Sequence, residues 1–239
     1  AARPPRGAER RVGGVPVTLL VMYGVMAWIQ TFPDSAISWW LQHTLRMDSG
    51  TTSTYYALSF VPYVLKPVYG YVSDNYPVLG YRRKSYVLLA ALGSSACYVV
   101  SGTLVTQVWE IFAVSFCRAI CNAFIELMLG SCIVDIATED PSRAGALQGS
   151  VYAANWAGSL LAYLAGLGLY ACGGTRAANS TLLSPRAAIA VTGVFPLLAA
   201  GLAVGLREPR AETVTVEQWV TGRYLGVLVL VQVLLVWTG

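Results

Sequence analysis

The chain has 239 residues, of which 56% are hydrophobic and 12% charged, with a net charge of +4 and a mean hydropathy of +0.57. Soluble domains carry about a quarter charged residues, so this composition excludes an ordinary water-soluble globule. The modest basic excess is too small and too scattered to imply nucleic acid.

Taken in chain order, the first element is the basic segment 1–13, which opens "AARPPRGAERR". It reads as a cytoplasmic N-terminal segment, because it has no signal cleavage site and the apolar run that follows is too long for a signal sequence. Position 1 is not Met, so a fragment or a processed chain is expected. Apolar runs then recur at 14–31, 52–73, 85–106, 110–135, 147–170 and 187–206. A linker covers 207–223, and a seventh run begins at 224 and continues to 239. A hydrocarbon core of about 30 Å takes about 20 helical residues, and backbone in lipid must satisfy its own hydrogen bonds. The expected fold is therefore an all-α membrane protein: a six-helix bundle over 14–206 plus the start of a seventh transmembrane helix.

Lys and Arg in the connections set the orientation. With a cytoplasmic N-terminus, the cytoplasmic connections hold Arg3, Arg6, Arg10, Arg11, Arg82, Arg83, Lys84, Arg143, Arg207, Arg210 and Arg223. The opposite side holds Arg46, Arg176 and Arg186, and Lys66 and Arg118 fall inside apolar runs. The sequon Asn179-Ser180-Thr181 then lies on the non-cytoplasmic side, a candidate glycosylation site. His43, the single histidine, falls in the first outer loop.

The stretch "KPVYGYVSDNYPVLGYRRKSY", 66–86, crosses the cytoplasmic end of the second run and enters the third. Gly70 permits close backbone approach, Asp74 follows one turn later at the membrane edge, and Pro77 and Gly80 end the helix before Arg82 and Arg83. Gly70-x-x-x-Asp74 followed by Gly80-x-Arg82-Arg83 resembles the loop signature of the major facilitator superfamily, with a longer gap, "DNYPVLG", between acid and second glycine. That longer form is similar to the folate–biopterin transporter family. "LKPVYGYVSDNYPVLGYRRKSYVLLAALG" resembles its second-to-third helix segment, and "VDIATEDPSRAGALQGSVYAANWAG" its fourth-to-fifth junction. The family tends to carry two acids a turn apart near the end of the fourth helix; here Asp135 matches the second and Ser131 stands at the first. The resemblance covers about 15–206 and implies a twelve-helix carrier, of which a C-terminal helix bundle would be the missing partner. It also implies alternating access and a folate or pterin solute, with no cofactor.

The charges inside the apolar runs are the candidate substrate or coupling residues, since intramembrane charge is costly and by default functional. Lys66 and Glu126 are expected at similar depth, about 14 and about 16 residues into their helices, or about 21 and about 24 Å at 1.5 Å per residue, and so close enough to pair. A structural ion pair is the competing reading. Arg118, about 12 Å from Glu126 along the same helix, is suited to a substrate carboxylate through its planar fork, or to backbone carbonyls. Glu126 is the residue placed to exchange a coupling proton, and Asp135 completes the candidates. Gly70, Asp74, Gly80, Arg82 and Arg83 read as a conformational latch, because they sit at the interface rather than at the midplane where carriers bind.

The fifth run carries a small residue at every fourth position, Ala146, Ser150, Ala154, Gly158, Ala162 and Gly166, a helix-packing stripe. Trp28, Tyr152 and Trp156 are either core or surfaces for a flat ring. Five cysteines form no CxxC, and Cys117 and Cys121 have no histidine near them in sequence, so no metal site is expected. No phosphate loop, nucleophile elbow or triad pattern appears, and the chain is not expected to be an enzyme. Three functions stay open: a secondary carrier of folate, biopterin or related pteridines; a carrier of another small solute; and a non-transporting, receptor-like or half-length membrane protein. The membrane itself, plasma membrane or organelle envelope, is not decided.

Overall fold

The computed structural model describes residues 11–81, 83–171 and 183–205. The candidate residues Arg82 and Asn179, and the expected seventh run at 224–239, lie outside them.

Residues 11–16 form a two-stranded hairpin, Arg11–Val12 with Val15–Pro16, turning on Gly13 and Gly14 at φ 59° and 86°. Such positive φ values suit glycine, which lacks a Cβ. The hairpin feeds α1 (Val17–Thr31). Phe32 and Pro33 interrupt the helix, and α2 (Asp34–His43) resumes it. This corrects the outer loop expected after 31. Pro33 needs no N–H at a helix start, so it breaks the first helix without ending it. His43 closes α2, its ring stacked on Trp39 at 4.7 Å.

Helix α3 (Ser49–Val64) starts at Asp48, whose carboxylate accepts the Gly50 and Thr51 N–H groups at 3.0 and 3.3 Å. It ends at Val64, Leu65 separates the two helices, and α4 (Lys66–Asn75) restarts with Pro67 in its first turn. The Lys-Pro inside an apolar run is thus a helix break. Pro67 cannot extend the α3 hydrogen-bond ladder but fits the first turn of the next helix. Beyond α4, Val78 and Tyr81 exchange backbone hydrogen bonds of 3.1 and 3.0 Å around Leu79 and Gly80, which have φ 53° and 78°. Gly80 is explained by that left-handed turn geometry.

Helices α5 (Lys84–Thr103), α6 (Val108–Glu139) and α7 (Ala144–Ala171) follow. A Gln107/Glu110 capping box opens α6, which satisfies two otherwise orphaned N–H groups. A 3-10 turn at Pro141–Arg143 separates α6 from α7. Helix α8 (Pro185–Thr192) is capped by Ser184, and α9 (Val194–Gly205) continues its course past Gly193.

Among the described residues, three helical stretches are long and apolar enough to cross a membrane: Lys84–Thr103, Val108–Glu139 and Pro185–Gly205. Large apolar side chains remain exposed on them, including Leu89, Leu92, Val99, Leu198 and Val204. Lipid, not water, is the solvent that suits such a surface. Helix α1 packs along α7 and α9, α2 along α8, α3 and α4 along α6, and α5 along α6, α8 and α9. The α1–α7 contact is close because a Cβ on Gly158 would lie 2.8 Å from the Gly24 Cα. The small-residue stripe of α7 meets a glycine there.

Candidate functional site

A groove of about 640 Å³ lies between α1, α4, α6 and α7. Lys66 and Glu126 line it, and so do Asp74, Arg83 and Asp135. The break before α4 puts Lys66 at a helix start, where the helix dipole disfavours a cation. Its ammonium meets Glu126 instead, with Nζ 3.0 Å from Oε1, and sits 5.2 Å from the Tyr63 ring centre. Neither side chain is sealed: they are 26% and 39% exposed. The pair is therefore both a structural link and a polar surface of the groove.

The second charge pair joins the start of α5 to α6. The Arg83 guanidinium grips the Asp135 carboxylate in a two-pronged contact, with Nη2 donating to Oδ1 at 3.0 Å and Nη1 donating to Oδ2. Asp135, expected with the substrate or coupling group, thus pairs with Arg83, one of the residues expected to form a latch, and Asp74 lines the same groove. Gly70 lies within van der Waals reach of α6, since a Cβ there would be 3.7 Å from Leu127 Cδ2. Ser131, which stands at the position of the first of the two acids, donates to the Leu127 carbonyl at 3.0 Å and lines the groove.

Arg118 lies apart from this groove. Its Nη2 donates to the Tyr55 hydroxyl at 3.1 Å, and its guanidinium covers the Tyr98 ring at 4.9 Å. Tyr55 and Ser115 hydroxyls are 2.9 Å apart, and the Tyr98 hydroxyl donates to the Ile29 carbonyl at 2.9 Å. The buried Nη1 has no hydrogen-bond partner among the described residues. Asp34, at the start of α2, is close enough to interact with Arg118 electrostatically. Sequence reasoning passed over Asp34 because it follows a proline and reads as loop; the signal was the capping-type residue at a helix restart.

The three aromatic candidates separate. Tyr152 lines the groove. Trp28 packs on Phe32 and Phe195, with ring centres 5.7 and 5.1 Å away, and Trp156 is 71% exposed. The groove also contains Tyr23, Gln30, Gln148 and Asn155, which no charge pattern flags in sequence. Among the described residues no group of three or more His, Cys, Asp or Glu is placed to hold a metal.

Residues 28–230 match the BT1 family. The chain belongs to the BT1 family. As a BT1 chain with three apolar spans among its described residues, it is a multi-pass membrane protein. It is 29% identical over 177 residues to the folate-biopterin transporter of Synechocystis sp., covering 72% of this chain and 33% of that protein. It is 29% identical over 178 residues to probable folate-biopterin transporter 6 of Arabidopsis thaliana, with the same shares. Folate transporter 2 of Plasmodium falciparum is 24% identical over 131 residues, covering 52% of this chain and 29% of that protein. The chain thus spans about a third of the length of these BT1 relatives. No solved structure matches it.

Proposed function

We propose that this BT1 protein is a secondary carrier that moves folate, biopterin or a related pteridine across its membrane by alternating access. The observation that carries the reading is the Lys66–Glu126 pair, held in a groove between helices of a membrane protein. Charge is retained in such a place where it serves a solute or ion path. The relatives' names supply the pteridine. Six membrane-crossing elements account for the helices: α1–α2, α3–α4, α5, α6, α7 and α8–α9. This is the N-terminal bundle of a major facilitator fold, and a second bundle would close the groove. The Arg83–Asp135 pair and Asp74, beside the cationic connection, form the cytoplasmic latch. Lys66 and Glu126 form the solute and coupling centre, with Arg118 a further anion contact.

Vesicles holding the full-length protein test this directly. Labelled folate and biopterin should accumulate above the level of protein-free vesicles, and more so with an inward proton gradient. Equal uptake in both preparations overturns the carrier reading. Accumulation that ignores the gradient removes the proton coupling alone.

A further inference from the structure

We propose that Glu126 reads the amino-pyrimidinone edge of a pteridine, so that the groove selects 2-amino over 2-oxo pteridines. The inference rests on the carrier function above and deepens it. Glu126 has one oxygen, Oε1, on Lys66 at 3.0 Å. The other, Oε2, has no hydrogen-bond partner among the described residues, and the side chain is 39% exposed. Lys66 therefore fixes the carboxylate in place while leaving an acceptor edge to the groove.

A carboxylate only accepts. Its best complement is a planar edge with two donors side by side. A guanidinium ligand has that edge but also a positive charge, which Lys66 would repel at this distance. A 2-amino-4-oxopyrimidine ring offers the same pair of donors, its amino N–H and its N3–H, without the charge. In the 2-oxo counterpart the amino group becomes a carbonyl, which sets one acceptor against another.

The rest of the groove suits the same ring. Gln30 on α1 and Asn155 on α7 line it, and neither amide has a hydrogen-bond partner among the described residues. Amides both donate and accept, which matches the mixed remaining rim of a pteridine. Tyr23, close enough to Glu126 to interact with it electrostatically, and Tyr152 provide flat apolar walls. The groove volume, about 640 Å³, lies within the usual size of a small-molecule site.

The test is equilibrium binding of labelled pterin to the full-length protein in vesicles, competed by unlabelled pterin and by lumazine, in which the 2-amino group is a carbonyl and N1 carries a proton. Wild type should prefer pterin by on the order of 30-fold, as expected for one hydrogen bond to a charged group made or replaced by a clash. Glu126→Gln presents one acceptor and one donor, so the preference should fall to near parity or invert toward lumazine. Lys66→Met with Glu126→Gln, which removes both charges, should show the same change if the single variant assembles poorly. An unchanged preference in either variant overturns the proposal. A wild type that binds both compounds equally also overturns it while leaving the carrier function standing. A wild type that binds neither defeats both.

Discussion

Lys66 Nζ stands 3.0 Å from Glu126 Oε1, tying the restart of a broken helix to the middle of α6. The two side chains are 26% and 39% exposed, so the pair is worth less than the roughly 3–5 kcal/mol lost on breaking a fully buried one, about 2 kcal/mol. Lys66→Met or Glu126→Gln alone leaves a bare charge and should lower the melting temperature and the amount inserted. The double variant should recover both, yet not concentrative uptake. Thermal melts in detergent, paired with vesicle uptake, separate the outcomes. A double variant with wild-type uptake would leave the pair a structural link only.

This pairing was legible in the sequence because helical rise converts position into depth, and an intramembrane charge demands a partner. The three long apolar spans, Lys84–Thr103, Val108–Glu139 and Pro185–Gly205, were legible as well, because apolar length marks them. What stayed hidden was lateral. Nothing in a single chain says that Asp135 turns toward Arg83, or that Gln30 and Asn155 share a groove, because rotation about a helix axis is set by packing. The stretch after 31 reads in sequence as an outer loop, whereas the structure has α2 there. Proline signals an interruption, and only the packing of α2 on α8 shows that the helix resumes.

Gly158 and Gly24 offer a sharp contrast. A Cβ on Gly158 would press within 2.8 Å of the Gly24 Cα, while one on Gly24 would meet the Ala154 carbonyl oxygen at an ordinary 3.6 Å. Gly158→Ala should therefore destabilise by about 1–3 kcal/mol through overpacking, and Gly24→Ala should stay within about 0.5 kcal/mol. Denaturant or thermal titration of the two variants checks the difference. Equal effects would show that the α1–α7 contact is looser than its geometry.

Asp48 gives the pH dependence of the N-terminal end of α3. The Thr51 hydroxyl, then the Thr51 and Gly50 N–H groups, hold its carboxyl below the usual range. A folded-state pKa that is depressed gives stability fully present above the unfolded value, about 3.9, and lost as pH falls through the lower folded value. Melting temperature should decline over that acid window in wild type. Asp48→Asn keeps a neutral cap, so its profile should be flatter there. Parallel profiles would remove Asp48 as the titrating group.

Arg83 and Asp135, proposed above as part of a latch, line the groove and join in a two-pronged contact. If this pair must open in each cycle, Asp135→Asn should change the maximal uptake rate several-fold and leave pteridine affinity within about two-fold. Asp74→Asn, on the lining of the same groove, should slow turnover in the same manner. Initial-rate uptake against solute concentration distinguishes rate from affinity. A variant with normal maximal rate and lost affinity would move these residues from the latch to the binding site.

Arg118 has one guanidinium nitrogen on Tyr55, one face on Tyr98, and a buried Nη1 with no hydrogen-bond partner among the described residues. An uncommitted donor there is costly unless something fills it in part of the cycle. A folate carboxylate would do so, and biopterin carries none. Arg118→Lys keeps the charge but loses the planar fork that binds a carboxylate at two points. Folate affinity should then fall about 10-fold, the loss expected for one charged hydrogen bond, while biopterin affinity stays within about two-fold. Competition binding of both solutes to the same preparation reads the ratio directly. Equal losses for both, together with a lower melting temperature, would make Arg118 a brace between α3, α5 and α6 instead of a solute contact.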